Sequence, residues 1–310
     1  MAEGYLCSLM KKKLVVITGP TGSGKTTFAI SLAKQLGTEI ISADSRQVYR
    51  EMKIGTARPS DEEILAAPHH LIGHRSIIDP YDAAVYAIEA KSIISSLFNK
   101  HQVLLLCGGT GLYIKALLEG LDKLPEIPTT IRIELLSEYE EKGLEWLQVE
   151  ALKSDPTWYS KADQQNPRRL LRAVEVFRAT GKPISQFQSG QLIEQHDWDI
   201  EKFVLELPRD TLYNRIDQRV LNMVDEGLFE EAKELYPLRH LNALQTVGYQ
   251  EVFEYMDRIT TKDQAIALIQ QHTRNYAKRQ LTWFRKEKDM TRLNPEDSDA
   301  IQKVLQQLKA

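Results

Sequence analysis

The most explicit chemistry in the sequence sits in eight residues. Gly19-Pro20-Thr21-Gly22-Ser23-Gly24-Lys25-Thr26 spells G-x-x-x-x-G-K-T, after an apolar run and ahead of a helical pattern. Glycines let a backbone curl until several N–H groups face one anion. The following helix adds about half a positive charge at its start. Lys25 adds a full charge, and the Thr26 hydroxyl is suited to Mg²⁺. The pattern predicts a site for a di- or triphosphate, the bland alternative being a plain glycine-rich turn. Which phosphate it takes is not written there.

Two further stretches end apolar runs as the phosphate loop does. One is Asp44-Ser45-Arg46-Gln47 and the other Gly108-Gly109-Thr110. An ATP-hydrolysing enzyme would usually carry an acid at the end of such a strand, to hold water around Mg²⁺. Val103–Cys107 ends in glycines instead. That omission counts against ATP hydrolysis and leaves Asp44 as the acid best placed to face the phosphates. On spacing alone Asp44 equally suits a helix cap or a solvated loop. Further along, Arg215 and Arg219 stand four apart and share a helix face. They either reach back over the phosphate site or pair on the surface with Asp217 or Glu206.

Basic residues gather in two places. Arg168, Arg169 and Arg172 open one helical stretch, with Arg178 and Lys182 beyond. The other runs His272, Arg274, Tyr276, Lys278, Arg279, Trp283, Arg285, Lys286, Lys288. Cations interleaved with aromatics suit RNA phosphates and base stacking, although charge runs are more often solvated faces. Trp283 and its neighbouring tyrosine fit a helix core equally well.

The elements that must position these groups are legible in outline. Apolar runs at 14–18, 39–42, 103–107 and 203–207 predict buried strands. Helical spacing is expected over 27–36, 83–98, 131–153, 168–180, 211–236, 265–286 and 299–308. Continuous apolar strands separated by helices predict an α/β fold, a P-loop-containing doubly wound parallel sheet. Strand signals vanish between about 115 and 195. We therefore expect a core of 1–115 and 199–310 and a helical insertion subdomain over 116–198.

Composition narrows the setting. The 310 residues hold 40 Lys plus Arg against 43 Asp plus Glu, a net charge of −3, which excludes a wholly basic nucleic-acid packer. Two cysteines, Cys7 and Cys107, are too few for a disulfide framework or a four-cysteine zinc site, and a reducing cytoplasm is expected. The apolar run Leu14–Ile17 is far shorter than the ~20 residues a membrane span needs. No membrane partner is expected.

In order, these motifs resemble the bacterial tRNA dimethylallyltransferases, also called tRNA isopentenyltransferases. The resemblance runs from about Leu14 to Lys286. It is carried by the phosphate loop, Asp44-Ser45-Arg46-Gln47-Val48-Tyr49, and Met52-Lys53-Ile54-Gly55-Thr56-Ala57-Arg58-Pro59. Pro68-His69-His70-Leu71, Gly108-Gly109-Thr110-Gly111-Leu112-Tyr113 and Asn166-Pro167-Arg168-Arg169 follow. Arg215-Ile216 with Arg219, Val247-Gly248-Tyr249 and Lys278-Arg279-Gln280-Leu281-Thr282-Trp283-Phe284 complete the set.

The resemblance implies transfer of a dimethylallyl group from its diphosphate to the exocyclic amine of the adenosine just 3′ of the anticodon. It implies that Lys25 and Thr26 hold diphosphate and Mg²⁺, that Asp44 is the base, and that Arg219 binds diphosphate. Asp44, Ser45, Arg46 and Gln47 would hold the target base. Thr110, Arg132, Arg168, Arg169 and Arg172 would contact tRNA, joined by Lys278 and Arg279 from the second basic stretch. A cytoplasmic monomer is expected. The sequence departs from the family at Ile72-Gly73-His74-Arg75, where an Asp usually follows the His pair. Two alternatives stay open: a P-loop small-molecule or nucleotide kinase, with Asp44 facing an acceptor hydroxyl, and an RNA-binding protein using nucleotide as a switch.

Overall fold

The apolar run ahead of the phosphate loop forms β1 (Lys13–Thr18), buried at every position after Lys13. It is followed by α1 (Lys25–Leu36), β2 (Ile40–Ser42), α2 (Asp61–Ala66), β3 (His69–His70), α3 (Ala83–Leu97), β4 (Val103–Gly108) and α4 (Gly111–Leu118). Three helices come next, α5 (Thr129–Ser154), α6 (Pro156–Tyr159) and α7 (Pro167–Thr180). Then follow β5 (Asp199–Leu205), α8 (Arg209–Asp225), α9 (Leu228–Leu235), α10 (Tyr249–Met256), α11 (Lys262–Phe284), β6 (Thr291–Leu293) and α12 (Ala300–Lys309). The structure is a computed structural model that describes residues 11–188 and 195–309, so Cys7 lies outside the described residues.

The six strands form one sheet in the order β3-β2-β4-β1-β5-β6, parallel at every pairing. β1 sits inside it, with Ile17 opposite Cys107 on one side and Phe203 on the other. Strands flanked on both sides are covered by helices on both faces, which is why β1 reads as continuous apolar sequence. One face packs Val15, Ile17, Leu105 and Phe203 against Phe28 and Leu32 of α1 and Val304 of α12. Parallel winding brings the ends of β1, β2 and β4 to one edge, where ligands of such sheets lie.

Gly108 sets how closely two of those ends approach. A Cβ there would run into the Ala43 carbonyl. The contact is fixed by Ala43 N–H donating to Cys107 O at 2.8 Å and Thr110 N–H donating to Ala43 O at 3.1 Å. Gly108→Ala is expected to lower stability by about 1–3 kcal/mol, the usual scale of overpacking. A urea midpoint equal to that of the unmodified protein would contradict this.

The chain clusters into two compact units, one formed up to Leu118 and from Gln195 onward, the other by Glu119–Glu194. The second unit has its own core of Leu135, Leu147, Ala151, Leu170, Leu171 and Val174. Asn166 caps α7 by accepting from Arg169 N–H, Pro167 occupies the first turn, and Gly181 ends the helix at φ 68°.

Several elements differ from expectation. The helix expected over 211–236 is broken at Gly227 (φ 104°), giving α8 and α9. The 131–153 helix belongs to α5, which is interrupted at Gly143 (φ 76°, ψ −173°). The strand expected over 203–207 begins earlier, at Asp199, and ends at Leu205. β3 and β6, two and three residues long, are too short to show a period of two.

Candidate active site

The phosphate loop is built to leave N–H groups free. Gly19, Gly22 and Gly24 all have positive φ, which folds the loop back on itself. A Cβ on Gly19 would lie 2.6 Å from Leu205 O at the end of β5. Gly24 caps α1 in a left-handed conformation without a side-chain cap, so the first-turn amides are left for an anion. The Ser23 hydroxyl is fully buried and has no hydrogen-bond partner among the described residues. An oxyanion in the loop would satisfy it. The Thr21 amide is already used, donating to Gln280 Oε1 at 2.8 Å.

Lys25 Nζ donates to Pro20 O at 2.7 Å and so lies across the loop. Burial pushes its ammonium down to about 8. The Arg219 guanidinium adds to the fall, and the Asp44 carboxylate pulls it back up. Asp44 and Arg219 thus lie near enough to act electrostatically on Lys25, and Cys107 Sγ donates to Lys25 O at 3.8 Å. Burial also pulls Arg219 below its ordinary value, opposed chiefly by Asp44. The Cys107 thiol is pushed up to about 11 by burial, so it stays neutral and is no nucleophile.

Asp44 closes a local turn, the capping role that its spacing allowed. Its Oδ1 accepts from the N–H of Arg46 at 2.8 Å and of Gln47 at 3.2 Å, a local turn that fixes the carboxylate. Its Oδ2 has no hydrogen-bond partner among the described residues. The loop it opens is pinned on three sides. Ser45 N–H donates to Thr110 Oγ1 at 3.0 Å. Arg46 Nη1 donates to the carbonyls of Asn242 and Ala243, both at 3.1 Å. Gln47 Nε2 donates to Thr56 O at 3.2 Å and Ala57 O at 3.1 Å.

The two arginines of α8 part company. Arg219 is half-buried and donates through Nη2 to Thr56 O at 3.3 Å. Arg215 pairs with Glu296 at 2.6 Å, although its Nη1 would still lie 3.3 Å from a Cβ on Gly24. Neither pairs with Asp217 or Glu206, which are taken by Arg274 and Arg292.

A tyrosine wall around Asp44 escaped the sequence reading. Tyr86 and Tyr113 stack at 4.4 Å between centroids, and Tyr81 meets Tyr113 edge-on at 6.3 Å. Tyr276, one turn before Gln280 on α11, is pushed up to about 12 by burial and then by Asp44. These phenols stay neutral, so Asp44 faces a weakly polar, aromatic surface. Gln280 joins the strand ends, its Nε2 donating to Gly109 O at 2.8 Å while its Oε1 holds Thr21. The divergent segment buttresses the same region: Gly73 N–H donates to Gln47 O at 2.8 Å and Arg75 N–H to Val48 O at 3.0 Å. His74, Arg75 and Tyr81 all converge on the Glu89 carboxylate.

The expected RNA-contacting cations are of two kinds. Lys278 and Arg279 are exposed on α11, Arg279 lying 5.6 Å from the Tyr276 ring. Arg209, Tyr213, Lys278 and Arg285 line an open groove of about 510 Å³ beside them. In the second unit, Arg168 and Arg169 are exposed in the first turn of α7. Arg132 and Arg172 instead converge on the buried Glu175, at 3.1 and 3.2 Å. Among the described residues no three His, Cys, Asp or Glu side chains form a metal cluster, and no helix is long and apolar enough to cross a membrane.

Comparison with known proteins gives a consistent result. The sequence profile of the IPP transferase family matches residues 47–287. The tRNA dimethylallyltransferase of Christiangramia forsetii is 47% identical over 281 residues, which are 91% of this chain and 93% of that protein. The crystal structure of the full-length tRNA isopentenylpyrophosphate transferase of Bacillus halodurans superposes with a TM-score of 0.69 at 36% identity, covering 96% of this chain and 95% of that one. A eukaryotic dimethylallyltransferase acting on tRNA superposes with a TM-score of 0.77 at 26% identity, covering 95% of this chain and 78% of that one.

Proposed function

The chain belongs to the IPP transferase family, and on that premise we propose that it moves a dimethylallyl group from dimethylallyl diphosphate to the exocyclic N6 amine of the adenosine just 3′ of a tRNA anticodon. The observation that carries this reading is geometric: Asp44 Oδ1 accepts from Gln47 N–H, and Gln47 Nε2 and Arg219 Nη2 both donate to Thr56 O, which sets a carboxylate and an arginine on one side of the phosphate loop. An adenine amine is a poor nucleophile because its lone pair is delocalised into the ring. As N6 forms a bond to the allylic carbon, its protons become acidic, and Asp44 Oδ2 takes one. General-base help of this kind is worth ~10²–10⁴ in rate.

The carbon–oxygen bond breaks as the new bond forms, and the electron pair leaves with diphosphate. Lys25, Arg219, the Ser23 hydroxyl and the amides of Gly22 and of Gly24 to Thr26 stabilise that anion, the Ser23 amide being taken by Pro20 O at 3.2 Å. The Tyr86, Tyr113 and Tyr276 side chains exclude water from the carbon that gains positive charge. Ser45, Arg46, Gln47 and Thr110 frame the extruded base, whose release from its stack costs a few kcal/mol. Lys278, Arg279, Arg168, Arg169, Arg132 and Arg172 supply tRNA contacts that offset that cost, the last two after exchange from Glu175.

The site fits magnesium. Mg²⁺ takes one or two protein oxygens and fills its shell with water and phosphate, and the Thr26 hydroxyl has no hydrogen-bond partner among the described residues. Bound there, the ion would neutralise charge on the diphosphate. We place the reaction in the cytoplasm, where tRNA is, and assign it to a monomer.

Labelled dimethylallyl diphosphate incubated with unmodified tRNA tests the reading. Label is expected on the adenosine 3′ to the anticodon. Turnover of ATP without transfer of label would replace the reading with a kinase or a nucleotide switch.

A further inference from the structure

Two motifs, Met52-Lys53-Ile54-Gly55-Thr56-Ala57 and Val247-Gly248-Tyr249, supply no group to the chemistry above. They meet at Glu231 of α9. Its Oε2 accepts from the N–H groups of Lys53 and Ile54, both at 2.8 Å. Its Oε1 accepts from Gly55 N–H at 2.8 Å and from the Tyr249 hydroxyl at 2.6 Å. One carboxylate thus gathers three consecutive amides and a phenol, a concave nest of donors that favours negative charge. The Tyr249 ring is fully buried against Gly55, where any Cβ would strike it.

The far side of the same loop faces the site. Thr56 O accepts from both Arg219 and Gln47, and Ala57 O accepts from Gln47. Within the loop, Ala57 N–H donates to Ile54 O at 2.8 Å, Arg58 N–H to Lys53 O at 3.1 Å and Thr56 Oγ1 to Met52 O at 2.7 Å, and Ala57 sits at φ 44°, an uncommon conformation for alanine that the Glu231 contacts help to hold.

We propose that Glu231 is a positioning residue for the transfer, holding the 53–57 loop so that its carbonyls aim Arg219 at the diphosphate and Gln47 at the acceptor base. The inference rests on the function proposed above. Glu231 itself touches neither reactant. Its N–H partners fix the loop, the loop fixes two side chains, and misplacing such groups by about 1 Å can cost on the order of 10²-fold in rate.

E231Q keeps the size of the side chain but turns an NH₂ group against N–H or O–H donors. It is expected to lower kcat by about 10–100-fold and to raise KM for dimethylallyl diphosphate, with the circular-dichroism spectrum of the wild type. The deciding measurement is the double variant with Arg219→Ala. If Glu231 acts through Arg219, the combined loss is smaller than the product of the single losses. A product equal to the combined loss, or wild-type kinetics in E231Q, overturns the proposal. Should E231Q fail to fold, Y249F carries the same test. It removes one donor, and a loss of roughly 3–10-fold with the same non-additivity is expected. Absence of label transfer by the wild-type enzyme would sink the proposed function, and this inference with it. Wild-type transfer with strictly multiplicative losses sinks the role of Glu231 alone.

Discussion

Asp44→Ala is expected to cut dimethylallyl transfer by about 10²–10⁴-fold while diphosphate binding stays close to that of the wild type. The split follows from what the carboxylate touches. On the proposed function, Lys25 and the loop amides hold the anion, while Asp44 keeps a carboxylate oxygen without a hydrogen-bond partner among the described residues. Alanine also removes the Oδ1 acceptor that shapes the turn at Arg46 and Gln47. Asp44→Asn separates the two roles, because its amide oxygen still accepts both N–H groups while the side chain takes up no proton. Asn and Ala are expected to be about equally slow in single-turnover assays. Rescue by Asn would show that Asp44 acts through the turn and not as a base.

The second large effect concerns Lys25. Lys25→Met is expected to lose on the order of 10²–10³ in kcat/KM, the usual cost of removing one group that stabilises a departing anion. In the free protein the Lys25 ammonium titrates near 8, so diphosphate affinity should fall as pH rises through that value. The consequence for stability has the opposite sign. The unfolded chain keeps its proton up to about 10.5 and the folded chain only to about 8. Between those values the unfolded state binds more protons, so the lysine's contribution makes the free protein more stable as pH rises. Lys25→Met removes that slope and is expected to raise stability at neutral pH, where the buried charge is a cost. Urea unfolding of both proteins at pH 7 and pH 10, with titration of diphosphate binding, checks both signs. A parallel pH dependence in the two proteins would remove Lys25 from the cradle.

Much of this site was legible because its signals are local. The glycines, lysine and threonine of residues 19–26 are adjacent in sequence, and a strand before and a helix after complete the pattern. Asp44 could be placed because a parallel sheet sends strand ends to one edge. What stayed hidden depends on distant pairing. No periodicity reveals that Tyr86, from a long helix, stacks on Tyr113, or that Glu231 reaches a loop some 180 residues earlier. Arg132 and Arg172 looked like free cations until Glu175 was found between them. The break at Gly227 was visible as a letter but not as an event, since a lone glycine inside helical spacing is often tolerated.

Gln280 seats the phosphate loop from 259 residues away. On the ribosome the loop is therefore made long before its buttress emerges. β1 likewise waits with one edge unpaired until β5 arrives at Asp199. Such distant closures fold slowly and leave open strand edges exposed meanwhile. A nascent chain halted before α11 would therefore carry every letter of the phosphate motif without the side chain that joins Thr21 to Gly109.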